Sequence, residues 1–108
     1  MIVKSAAVVA ALLLASTSAQ ADVTKGQKIY QKKFTKLCGQ SGAKFAAAHT
    51  QSEWEDAKDE GKLADVFSTI CPAGEKIFKG TDFKEKMEAD LYDFVHEYAS
   101  DSGNVPSC

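Results

Sequence analysis

The sequence predicts an all-α fold: a compact bundle of four to five short helices, stapled by a disulfide. Three observations predict it. Apolar residues recur at i, i+3, i+4, i+7 and i+8 in several separate stretches, whereas no stretch alternates with period two. A length of 108 residues, 44% hydrophobic and 26% charged, fits one small core and excludes both a disordered polyelectrolyte and a multidomain enzyme. Three cysteines accompany an N-terminus that reads as an export signal, which places a small domain where disulfides form.

Residues 1–21 carry that signal. Lys4 precedes the apolar and small run Ala6 to Ala15, and Ala19-Gln20-Ala21 forms an Ala-x-Ala cleavage site before Asp22. The run falls short of the roughly 20 residues a bilayer span needs, so a cleaved signal is expected rather than an anchor. The predicted product is a periplasmic or secreted domain over 22–108, helical with an irregular C-terminal tail. Losing Lys4 from the 13 lysines leaves 12 against 15 acids, a net charge of −3.

From Thr24 a first helix places Tyr30, Phe34, Leu37 and Cys38 on one face and Lys25, Lys28, Lys32 and Lys36 on another. Gly39 and Gly42 end it. A short alanine-rich segment, Ala43 to His49, follows. Thr50 with Glu53, and Ser52 with Glu55, form two overlapping capping boxes that start a third helix, which stops near Gly61. Leu63, Val66, Phe67, Ile70 and Cys71 define a fourth, terminated by Pro72. After a loop, Asp82 with Glu85 caps a long last helix whose stripe runs Phe83, Met87, Leu91, Phe94, Val95 and Tyr98. The tail from Ser100 to Cys108 has turn chemistry throughout, and only Cys108 could pin it.

Cys38, Cys71 and Cys108 allow three pairings and leave one thiol over, whether free, joined to a second chain or bonded to a cofactor. Without a Cys-x-x-Cys pair, thiol-redox chemistry is not expected. No metal site is expected, because the two histidines and three cysteines lack the close ligand pairs of structural zinc. All 13 basic residues are lysine, so the bidentate guanidinium fork of nucleic-acid binders is missing. Neither histidine accompanies a nucleophile motif, and no enzyme activity is expected. His49 is expected to cap the end of its short helix, His96 to face water, and Trp54 to lie in the core.

The pattern Gly26-x-x-Ile29-Tyr30 on the first helix, then Cys38-Gly39-Gln40-Ser41-Gly42, then Leu91-Tyr92-Asp93-Phe94-Val95-x-x-Tyr98 on the last, resembles the small class I c-type cytochromes. The resemblance implies a cytochrome c-like crossing of first and last helices and a role in electron transfer. It departs from the family at the haem site: Ser41 stands where the second cysteine belongs and Gly42 where the proximal histidine belongs. Covalent haem c of the usual kind is therefore not expected. The resemblance still leaves Cys38 for a single thioether, with His49 or Met87 as an axial ligand; otherwise Cys38 is a disulfide partner and Met87 fills core.

Residues 22–50 carry six lysines and one acid, whereas 51–108 carry six lysines and fourteen acids. Lys25, Lys28, Lys32 and Lys36 thus form a candidate face for docking an acidic protein partner, such as a periplasmic oxidoreductase or cytochrome. The function expected is that of an accessory or binding component of a periplasmic electron-transfer system. The alternative is a disulfide-stapled structural or interaction module with no redox role.

Overall fold

In a computed structural model, residues 23–108 are described; the expected signal peptide lies outside them. Among these residues the fold is all-α, with no strand. The first helix, α1, runs over 23–33. Gly26, Tyr30 and Phe34, spaced four apart, form its inner stripe, and both rings are fully buried. Their spacing lets α1 cross the last helix. A Cβ built on Gly26 would lie 2.0 Å from the Asp90 carbonyl oxygen and 2.7 Å from Phe94 Cβ. Only glycine lets the two backbones approach this closely.

The first helix does not continue straight to Cys38. Phe34 adopts φ −120°, and a separate turn, α2 (Thr35–Cys38), follows it. The Thr35 hydroxyl donates back to the Tyr30 carbonyl at 3.4 Å, a competing bond of the kind that bends helices. The kink drives the Phe34 ring inward and turns Leu37, expected on the apolar face, to 40% exposure. Gly39 then takes the left-handed conformation, φ 67°, that closes the turn.

Helix α3 (Gly42–Ala46) starts at Ser41, whose hydroxyl accepts from Lys44 N. Helix α4 (Gln51–Asp59) begins with the Thr50–Glu53 capping box, in which Glu53 N donates to Thr50 Oγ1 and Thr50 N to Glu53 Oε1. Of the two overlapping boxes expected, this one forms; Ser52 lies inside the helix. Helix α5 (Leu63–Ile70) ends before Cys71 and Pro72 as expected.

Two expectations give way in the C-terminal half. The segment expected as a loop holds a 3-10 turn, Pro72–Gly74, and helix α6 (Glu75–Phe78), which carries the fully buried Phe78. The long last helix is broken into α7 (Thr81–Lys86) and α8 (Glu88–Glu97) at Met87, φ −130°. Asp82 is not its cap: α7 starts from Gly80 without a side-chain cap bond. The break has a packing cause. It lets Phe83 face Phe34, Phe67 and Phe78, while Leu91, Phe94 and Val95 are buried on α8.

The tail is held without a disulfide. Ser100 N donates to the His49 carbonyl, Gln51 N to Asp101 Oδ1, and Ala43 N to the Cys108 carbonyl at 3.2 Å. Cys108, expected as the one residue able to pin the tail, holds its end through its carbonyl, and Ser100 and Asp101 hold the start as well.

Candidate functional site

The α1 break and the α6 turn bring Phe34 and Phe78 into an interior of buried rings. Phe34 and Phe78 stack at 4.6 Å with an interplanar angle of 13°, and Phe83 meets both edge-on. Phe45 joins Tyr30, Phe67 and Phe78, and Trp54 packs on Phe45 and Phe67. Trp54, expected in the core, is fully buried, and its Nε1 donates to the Ala46 carbonyl at 2.9 Å.

Of the three pairings open to the cysteines, the structure takes Cys38–Cys71, linking the end of α2 to the end of α5 across 33 residues. Cys108 is the free thiol, partly exposed. Its Sγ lies 2.8 Å from where a Gly42 Cβ would stand, so the tail end rests on the start of α3. Close by, the Tyr30 hydroxyl donates to the Gln40 carbonyl at 2.9 Å. Burial, with a smaller contribution from negative charge on Cys108, pushes the Tyr30 hydroxyl up to about 12.

The two histidines both turn to α4. His49 Nδ1 lies 3.5 Å from Glu53 Oε1 and its ring meets Trp54 edge-on, so its role is this pairing rather than contact with terminal carbonyls. His96, expected to face water, sits between Tyr92 and Glu55, with Nε2 2.6 Å from Glu55 Oε2. Glu53 is held below the ordinary carboxylate range, first by the Thr50 backbone N–H and also by the Thr50 hydroxyl and His49.

Met87 occupies the α7–α8 break and is half-buried against the core. It lines a cleft of about 390 Å³ with Lys33, Lys76, Ile77 and Phe83. The three residues named as haem contacts therefore have separate surroundings: Cys38 is bonded to Cys71, His49 is paired with Glu53, and Met87 lines the cleft. Among the described residues there is no group of three or more potential metal ligands.

No protein-family model matches the chain, and neither a curated protein nor a solved structure does. What the site can do rests on its own residues.

The lysines of α1 surround a second cleft. Lys25, Lys28, Lys32 and Lys33 line about 310 Å³ with Ile29 and Asp90. Lys33 belongs to both clefts, which makes it their common edge. Lys25, Lys28 and Lys32 thus gather as the sequence indicated, but Lys36, beyond the Phe34 kink, lines neither cleft. Lys33, Lys76, Ile77 and Phe83 were not among the candidate residues that the sequence pattern marked. Lys76 and Ile77 lie in the stretch expected to be a loop, where no helical face could be assigned to them.

Proposed function

We propose that this chain is an exported, non-enzymatic binding module with a cytochrome c-like helix crossing, free of haem, that serves as an accessory component of a periplasmic electron-transfer system. The observation that carries this reading is the interior. The close approach of α1 to α8 at Gly26 supports the helix crossing that the resemblance to c-type cytochromes implies, while the interior is packed with Phe34, Phe45, Trp54, Phe67 and Phe78, all fully buried.

A haem brought by that resemblance does not fit these residues. Cys38 has its sulfur committed to Cys71 and no thiol to offer a vinyl group. Seating a porphyrin would require ejecting several rings from a close-packed interior, whose removal costs roughly 3 to 5 kcal/mol each. A chain that keeps the frame and fills the cofactor space retains surface as its means of action, and the lysine-lined clefts offer one.

The test is the intact mass and visible absorbance of the protein purified from the periplasm of a host that matures c-type cytochromes. The expected result is the mass of residues 22–108 less two hydrogens, one alkylatable thiol, no haem band, and co-purification with an oxidoreductase or cytochrome. A haem-sized increment or a haem band would overturn the haem-free reading. Binding confined to partners without redox groups would instead favour an interaction module with no redox role.

A further inference from the structure

Two clefts on one face share Lys33, and both combine lysines with apolar floor. The first is floored by Ile29; the second by Ile77, Met87 and Phe83. Ile77 is 40% exposed, one of three large hydrophobics so open among the described residues. A half-open isoleucine beside a flexible methionine is a surface that gains by being covered.

The charge around that floor is predominantly positive. The clefts' lysines face two carboxylates, and one of these, Asp82, already has Lys86 at 3.9 Å. Among the described residues, lysine ion pairs engage Lys62, Lys79 and Lys86, which lie outside the cleft linings. Lysine suits this position because its long apolar stem lies along the floor while the ammonium stays at the rim. We infer that this double cleft seats an acidic, amphipathic segment of a partner protein, its apolar side chains against Ile77 and Met87 and its carboxylates on Lys28, Lys32, Lys33 and Lys76.

Charge complementarity commits the occupant to an acidic one. Concavity commits it to a protein segment rather than a membrane, because lipid binding uses a protruding apolar face inserted below the headgroups. The inference deepens the binding-module reading and rests on it; absorbance of the same preparation tests haem content independently of any peptide binding.

The experiment measures binding of the purified 22–108 protein to a labelled peptide whose helical form carries glutamates on one face and leucines on the other. The comparisons are its scrambled isomer, polyglutamate, vesicles containing anionic lipid, and the protein's own self-association by sedimentation. The patterned peptide is expected to bind in preference to the other probes and to weaken as salt is raised. Lys32→Glu with Lys33→Glu should weaken it about tenfold or more. Ile77→Ser, at a half-exposed site the fold tolerates, should weaken the patterned peptide about tenfold and leave polyglutamate unchanged. Lys44→Glu, outside both clefts, is compared with Lys32→Glu alone, the same change of charge within them, and should leave binding within about twofold.

No binding of the patterned peptide, equal loss with Lys44→Glu, or indifference to Ile77→Ser would each overturn the inference. So would tighter binding to vesicles, or self-association that Lys32→Glu with Lys33→Glu abolishes, which would assign the face to a membrane or to a second copy.

Discussion

Replacing Gly26 by alanine should destabilise the domain although alanine is the better helix former. A Cβ at this position would stand 2.0 Å from the Asp90 carbonyl oxygen, and ordinary contact begins at 3.4 Å, so α1 and α8 must separate by about 1.4 Å along that line. The obstruction is backbone, which no rotamer change can relieve, and separation loosens the Tyr30–Phe94 ring contact at 6.2 Å. Overpacking of this kind costs about 3 kcal/mol. Alanine returns about 1 kcal/mol of helix propensity. The net is about 2 kcal/mol, and at roughly 4 to 8 °C per kcal/mol for a domain of this size Tm should fall by about 8 to 16 °C. The assay is thermal unfolding followed by circular dichroism. Gly39→Ala is the comparison: nothing lies within 4 Å of its Cβ, but φ is 67°, so strain alone should cost about 1 kcal/mol. An unchanged or raised Tm for Gly26→Ala would mean that propensity decides at this site and that the crossing is not close.

Removing the Cys38–Cys71 bridge, which closes a loop of 33 residues, should cost about 4 kcal/mol in the chain-entropy account; urea unfolding with and without reductant measures it, and an unmoved midpoint would refute it. Trp54→Phe keeps a ring but leaves the buried Ala46 carbonyl without its 2.9 Å donor, so a loss of about 1 to 2 kcal/mol is expected in the same assay. Tyr30 contributes stability that is fully present below its unfolded value, about 10, and is lost as pH rises through about 12, because the unfolded tyrosine ionises first. Tm should therefore fall between those limits, and Tyr30→Phe should flatten the fall; a slope unchanged by the substitution would assign it to other groups.

Where the sequence was legible, a local signal acted alone. Thr50 with Glu53 started α4, and Pro72 stopped α5 at Cys71, because capping and imino-acid geometry need no distant partner. The failures share a different cause. Phe34 and Met87 each sit on an unbroken apolar stripe, and periodicity predicts a straight helix through both. Tertiary packing breaks them, since Phe34 and Phe83 must reach a common centre that a straight helix would miss. The candidate site inherits those breaks. Lys25, Lys28 and Lys32 line one cleft because they lie before the Phe34 kink, and Lys36, expected on the same face, lies after it and lines neither cleft. Lys76 and Ile77 were missed because α6 owes its helix to Phe78 entering the aromatic centre, a contact with Phe34 from far along the chain.

The same aromatic centre ties fold to surface. Phe34, Phe78 and Phe83 hold α1, α6 and α7 against one another, and Lys33, Ile77 and Asp82 are their immediate neighbours in sequence. Each buried ring thereby fixes the position of one cleft residue. A residue that only fills a core could be exchanged for another of equal volume with little effect outside it. Here the rings also set the spacing between Lys33 and Ile77, so moving α6 relative to α1 changes the distance between the charged rim and its apolar floor. The disulfide acts on the same relation, because Cys71 leads through the 3-10 turn directly into α6 while Cys38 ends the turn that follows Phe34. The bond and the stacked pair of Phe34 and Phe78 are two ties between the same two segments, one covalent and one packed. A bundle that needed only stability could place its staple anywhere; placing both ties here keeps the two halves of the lysine-rimmed face in register.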